Sequence, residues 1–283
     1  SRHISEENIR TIKEYTRKIA EEMHVEGLMN MQYAIEDGKV YVLEANPRAS
    51  RTVPLVSKVC NIRMVPLAIE IVTAELTGRP SPVPSLKEKC IPYYGVKEAV
   101  FPFNMFQEVD PVLGPEMRST GEVLGLSHFF GEAFFKAQEA TQKKLPLKGK
   151  VLISVRDKDK EEVVEVAKDY VAEGFQLFAS KGTCACLREA GLEVTYVKKL
   201  QEGRPDMLDL ITNGEVDLVL NTPIGKEAHE DDSYLRKAAI KAKVPYMTTI
   251  AAAKATISGI KSMKKPGCGN VKSLQELHAE ITE

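Results

Sequence analysis

The chain has 283 residues, 43% of them hydrophobic and 28% charged, enough apolar material to bury the cores of two ordinary domains. Its 39 Lys and Arg nearly balance 40 Asp and Glu, so no net field draws it to nucleic acid or to an anionic membrane. No apolar run approaches the roughly 20 residues that span a bilayer, and no basic-then-apolar leader pattern is present.

Ser5 is placed to cap a helix carrying Ile9, Ile12, Ile19 and Met23 on one stripe. From Val25 the period changes to two: Met29, Met31, Tyr33 and Ile35 alternate with Leu28, Asn30, Gln32 and Ala34. Asp37-Gly38 marks a turn, and Val40 to Asn46 returns as a second strand. Ser57 to Leu76 reads as a helix or helix pair notched by Pro66, and Gly78 to Pro84 ends it. A short strand is predicted over Val96 to Phe103, then a loop rich in Gly and Pro, then a helix from about Ser127 to Lys143. Leu145 to Gly149 is the better domain boundary.

Beyond it five short apolar strands are predicted, at Val151 to Val155, Gln176 to Ala179, Val194 to Val197, Leu218 to Leu220 and Pro245 to Met247. Helical segments near 160–172, 183–190, 205–213, 230–242 and 249–261 alternate with them. That alternation implies an α/β fold with a five-stranded parallel sheet covered on both faces, with ligands bound at the carboxyl ends of its strands. The five cysteines (Cys60, Cys90, Cys184, Cys186, Cys268) are odd in number and lack a C-x-x-C pair. This favours a reducing, cytoplasmic compartment over a disulfide framework or a zinc site, with Cys184 and Cys186 as small buried residues.

Two constellations carry chemistry. Period two puts Glu44 and Asn46 on one face at a strand end, followed by Pro47 and Arg48. Hard oxygen donors there suit Mg²⁺ or Mn²⁺ bridging phosphate oxygens, and the arginine fork suits a phosphoryl group. Gln32 adds a third donor in one register only. A two-residue turn would set Met31 opposite Glu44, whereas a three-residue loop with a bulge would set Gln32 there. An ordinary solvent-facing strand end reads similarly.

The second constellation begins at Ser180-Lys181-Gly182-Thr183, which joins a strand to a helix as an anion cradle of N–H groups and hydroxyls. Asn221 ends another strand, Lys199 a third, and Lys160 opens the helix after Val155. Together they suit one phosphate. The plain alternative makes Ser180 a helix cap and the lysines a solvated rim. No Walker A loop is present.

Met29 to Ala34, Val42 to Pro54 and Val56-Ser57-Lys58 closely resemble the second ATP-grasp half of carbamoyl phosphate synthetase large subunits. Phe103-Asn104 and Gly114 to Glu122 are similar to a later stretch, and Val151 to Ile281 resembles the methylglyoxal-synthase-like domain that closes these subunits. The resemblance implies that Gln32, Glu44 and Asn46 coordinate two metal ions on ATP, in the register with Gln32 opposite Glu44. It further implies that Arg48 and Arg51 lie near the reacting phosphoryl groups, and that this half phosphorylates carbamate. It assigns an effector phosphate of the UMP or IMP class to Lys160, Ser180, Thr183, Lys199 and Asn221, and ornithine is a further candidate ligand. The resemblance departs at Pro223, where bacterial members of the family it resembles often have a hydroxyl residue.

The implied layout is the end of an ATP-grasp (α+β) domain at 1–80, a connecting segment at 81–147 and a Rossmann-like regulatory domain at 148–283. The implied partners are a glutaminase subunit and further copies of the subunit. The opening Ser1 to Ser5 has no starting Met, so a fragment is expected, one that lacks the nucleotide-binding strands upstream and does not turn over alone. Competing readings are a free-standing phosphoelimination enzyme of the methylglyoxal synthase type and a non-catalytic scaffold. His229 to Asp232 reads as an acidic helix start or an acid/base cluster. Gly203 to Asp206 reads as a helix start with Pro205 in its first turn, and Phe129, Phe130, Phe134 and Phe135 as core. His24 and His128 have no ligand-spaced partner.

Overall fold

The Ser5 hydroxyl accepts a hydrogen bond from the Asn8 N–H at 3.2 Å and so starts α1 (Glu6–Glu22). The computed structural model describes residues 4–83, 86–87, 89–104, 116–142, 144–200, 202–222 and 229–282; at 75, 104 and 229–231 only the backbone is described. Its contacts divide into two compact units, Ser1–Pro92 with Lys272–Glu283, and Tyr93–Val271.

In the first unit α1 leans on a hairpin of β1 (Asn30–Glu36) and antiparallel β2 (Lys39–Asn46), with the Thr16 and Tyr33 hydroxyls 2.7 Å apart. Asp37 and Gly38 have φ of 48° and 76°, the paired left-handed conformation of a two-residue turn matched to strand twist. Pairs run in step from Glu36 opposite Lys39 to Tyr33 opposite Val42. Leu43 then stands unpaired, and the next pair is Gln32 opposite Glu44. The hairpin therefore combines the two-residue turn with a bulge inside β2, where the sequence offered a bulge only with a longer loop.

Two helices follow, α2 (Val53–Cys60) and α3 (Met64–Thr77). They part at Asn61, which is left-handed with φ 50°, and not at Pro66. Pro66 sits in the first turn of α3, where its missing N–H costs no helical bond. The chain returns to this unit at its end. α10 (Leu274–His278) starts with a capping box between Ser273 and Glu276, and His278 Nε2 lies 2.6 Å from the Lys58 carbonyl. The Cys90 N–H donates to the Thr282 carbonyl at 2.9 Å.

The second unit opens with antiparallel β3 (Tyr94–Val100) and β4 (Gly121–Ser127), the latter lying in a stretch expected as loop. α4 (Phe130–Ala140) packs on β4 and on α9 (Ile250–Met263). At its crossing with α9 a Cβ on Gly131 would lie 2.3 Å from the Ser258 carbonyl oxygen, so only Gly lets the two backbones approach. Tyr93 to Val271 thus share a unit with the parallel sheet.

That sheet has five parallel strands in the order β7-β6-β5-β8-β9. They are β5 (Gly149–Ser154), β6 (Phe175–Ala179), β7 (Val194–Tyr196), β8 (Leu218–Asn221) and β9 (Tyr246–Met247). The crossovers are α5 (Lys160–Ala172), α6 (Lys181–Glu189), α7 (Met207–Thr212) and α8 (His229–Lys241). Period two splits each central strand between two cores. Val151, Ile153, Leu218 and Leu220 meet Val163, Tyr170 and Ile260 on one face, while Leu152 and Val219 meet Met207, Ile211 and Leu235 on the other. Each such fully buried Leu, Ile or Val contributes about 1.5–3 kcal/mol. The expected α/β class with a five-stranded parallel sheet is the one observed.

Candidate functional site

Past the bulge, Glu44 and Asn46 stand two residues apart on β2, and Gln32 faces Glu44 across the hairpin. Gln32 Nε2 donates to Glu44 Oε1 at 2.6 Å, and both side chains are exposed. The same register sets Asn30 opposite Asn46, an amide that sequence reasoning did not single out and that becomes visible only once the register is known. The Arg48 N–H donates to the Asn46 carbonyl at 2.8 Å, and Arg48 Nη1 donates to the Ala49 carbonyl at 3.0 Å. Arg51 lies exposed just before α2.

Among the described residues no group of three or more His, Cys, Asp or Glu is gathered around one point. The donors on β1 and β2 are instead one carboxylate and amides, which are hard oxygen ligands when each amide turns its oxygen inward. Such a set fits a hard divalent ion that takes its remaining ligands from phosphate or water.

The second site lies along the carboxyl edge of the parallel sheet. Ser154 ends β5, Ser180 follows β6, and Asn221, paired with Ser154 in register, ends β8. Ser180 makes no side-chain cap on α6; its hydroxyl donates to the Ser154 hydroxyl at 3.0 Å and lies 3.4 Å from Thr183 Oγ1. Thr183 Oγ1 accepts the Val155 N–H at 3.1 Å. Ser154, Ser180 and Thr183 are all buried. The cap reading of Ser180 is thereby corrected: an identical hydroxyl on the neighbouring strand outcompetes the local backbone.

Lys160, first residue of α5, places Nζ 2.7 Å from Asp157 Oδ1. It stands over α6, where a Cβ on Gly182 would lie 3.1 Å from Nζ. The hydrogen bond that the Lys160 ammonium donates to Asp157 raises it above its ordinary range. Asp157 is correspondingly lowered, first by that hydrogen bond and by the Lys160 charge, and more weakly by the charge of Lys199. Lys199, beyond β7, donates its backbone N–H to Glu202 Oε2 at 3.0 Å. That bond is the main cause holding Glu202 below its usual range.

Lys160, Ser180 and Thr183 therefore meet at the ends of β5 and β6, Asn221 ends the adjoining β8, and Lys199 follows β7 at the far side of β6. Asn221 Nδ2 donates to the Tyr246 hydroxyl at 2.7 Å and to the Asp232 carboxylate. Burial pushes the Tyr246 phenol up to about 12, so it stays protonated at neutral pH. Sequence reasoning placed Thr222 at this sheet edge with Asn221 but passed over Ser154, Asp157 and Tyr246; Ser154 carried a readable signal as a hydroxyl residue at a strand end. Thr222 Oγ1 accepts the Arg156 N–H at 3.0 Å.

Pro223 and the side chains of His229, Glu230 and Asp231 lie outside the described residues. Cys184 is buried and Cys186 half-buried. Phe135 is buried, but Phe129 is 60% exposed and leaves the expected core. Asp206 rather than Pro205 starts α7, through a capping box with Asp209, and Arg204 Nη1 pairs with Asp209 at 3.5 Å. His128 stacks edge-on with Tyr93.

Residues 1–77 match the family described as carbamoyl-phosphate synthase L chain, ATP binding domain, and residues 162–248 match the MGS-like domain. A carbamoyl phosphate synthase large chain of Archaeoglobus fulgidus is 47% identical over 98% of this chain and 26% of its own length. One from Methanosarcina barkeri is 42% identical over 99% of this chain and 70% of its own length. The C-terminal section of that chain from Aquifex aeolicus is 44% identical over 97% of this chain and 54% of its own length. The chain spans about a quarter of the length of several curated relatives it matches. With both family matches in chain order and a relative covered over most of its length, the chain belongs to the carbamoyl phosphate synthase large chain family.

Proposed function

We propose that this chain supplies the end of the carbamate-phosphorylating ATP-grasp half and the regulatory domain of an enzyme that makes carbamoyl phosphate. The substrates of the whole are bicarbonate, glutamine-derived ammonia and two ATP, with a glutaminase small subunit as partner, subunit self-association and a cytoplasmic location. Residues 1–80 carry the phosphoryl-transfer contribution, 81–147 the connection, and 148–283 the binding of a phosphorylated effector.

In the first part Gln32, Glu44 and Asn46 would hold Mg²⁺ or Mn²⁺ on ATP. A bound divalent ion supplies charge neutralisation on the phosphate oxygens. The chain's own share is positional. The bulge at Leu43 keeps Gln32 and Glu44 on one face, and the turn after Asn46 holds the Arg48 backbone beside that strand end, with Arg48 and Arg51 as cationic partners for the transferring phosphoryl group.

In the second part the supporting observation is the meeting of Lys160 with the first turn of α6, whose N–H groups Ser180 leaves uncapped by its side chain. N–H groups at a helix start, an ammonium and nearby hydroxyls form a site for a phosphate dianion. Lys199 adds a second cation beyond β7, and Asn221, oriented by Asp232 and Tyr246, lines the adjoining strand end. Calorimetry with UMP, IMP and ornithine tests this reading. A nucleoside monophosphate should bind, and Lys199→Ala should weaken it about tenfold, the worth of one charge-assisted contact. Equal affinity in both proteins removes Lys199 from the site.

A further inference from the structure

We propose that Asp157 occupies the anion position at Lys160 when no ligand is bound, and so sets how tightly a phosphate-bearing effector is held. The inference rests on the effector reading above and adds a residue that opposes binding.

Asp157 opens a 3-10 turn three residues past the end of β5, at the edge where Lys160 and the first turn of α6 meet. Its side chain is 96% exposed, yet Oδ1 lies 2.7 Å from Lys160 Nζ. The same ammonium stands over Gly182, at the helix start that would receive the phosphate. One cation thus faces two claimants, a carboxylate of its own segment and an incoming anion. Lys199 also acts on Asp157, so both lysines assigned to the ligand already bear on this carboxylate.

Exposed ion pairs three residues apart are weak and screened. A phosphate dianion brings more charge and three acceptor oxygens, and also gains the α6 N–H groups, which Asp157 is not seen to engage. It can therefore displace Asp157 into solvent. A monoanionic carboxylate ligand offers Lys160 no more than Asp157 does, so the arrangement selects for phosphate. Asp157 remains nearby after displacement and repels the bound dianion. Removing its charge should tighten binding.

The test is calorimetry of the full 283-residue chain with UMP, IMP and inorganic phosphate, for wild type, Asp157→Asn, Lys160→Met and the double variant. Asp157→Asn should bind the nucleotide roughly three- to fivefold more tightly, the scale of a weak surface pair. The gain should vanish in the Lys160→Met background. Unchanged or weaker binding by Asp157→Asn, in a chain whose wild-type affinity does depend on Lys160, overturns the inference and leaves the effector reading standing. Failure of wild type and Asp157→Asn to bind any of the three probes removes both.

Discussion

Gln32 and Glu44 meet across the β1–β2 hairpin at 2.6 Å because Leu43, inside β2, supplies one extra residue. Had β2 continued in step without the bulge, the two-residue turn at Asp37-Gly38 would have put Leu43 opposite Gln32 and Glu44 opposite Met31. A slip of one position turns a strand's side chains to the other face. The bulge thus brings the one carboxylate of this strand end alongside the amides.

The first prediction concerns Glu44 in the full-length enzyme. Its side chain is exposed, so Glu44→Ala should leave stability within about 0.5 kcal/mol of wild type. Loss of the only carboxylate in the donor set should lower carbamate phosphorylation by about a hundredfold or more, while glutamine hydrolysis continues. Carbamoyl phosphate formation and glutaminase activity assayed side by side decide it. Unchanged synthesis sinks the metal role.

Thr183 offers a test of stability at the strand ends. Its hydroxyl takes the N–H of Val155, a buried residue, at 3.1 Å. Thr183→Val keeps the shape and strands that N–H, at a cost of about 1–3 kcal/mol. Urea unfolding should show a lower midpoint with the same slope. Thr183→Ser should recover most of the loss. If Thr183→Val unfolds like wild type, another group must satisfy Val155.

How much of this was legible in the sequence depends on how local each cause is. The parallel sheet was readable because Val151 to Ile153 and Leu218 to Leu220 are continuous apolar runs set between helical segments. β4 escaped because Gly121 and Gly125 interrupt its pattern after a Gly and Pro-rich stretch. α10 is only five residues long, although Ser273 and Glu276 spell a capping box. The turn at Asp37-Gly38 was local and visible; the residue pattern alone left two registers open, and the family resemblance selected the observed one, with Gln32 opposite Glu44. Ser180 is the clearest limit: its hydroxyl is claimed by Ser154, 26 residues earlier, and no local pattern reports that.

The last prediction follows from Glu132, 6% exposed, whose carboxylate ties three segments of the second unit together. Lys136 Nζ lies 2.8 Å from Oε1, the Ser127 hydroxyl donates to Oε2 at 2.8 Å, and the Gly269 N–H donates to Oε1 at 3.0 Å. Burial alone would push this acid up. The hydrogen bonds from Lys136, Ser127 and Gly269 and the Lys136 charge outweigh it, and the carboxyl ends below its ordinary range. A folded value below the unfolded one gives stability that is complete above the unfolded value of about 4.3 and lost as pH falls through the folded value. Glu132→Gln should therefore cost about 1–3 kcal/mol at pH 7, where the charge-assisted bonds are intact. The difference in Tm between the two proteins should narrow steadily once the pH drops below about 4. A gap of the same size at pH 7 and pH 3.5 would show that the ionised carboxylate adds nothing to this junction, and that shape alone holds α4 to its neighbours.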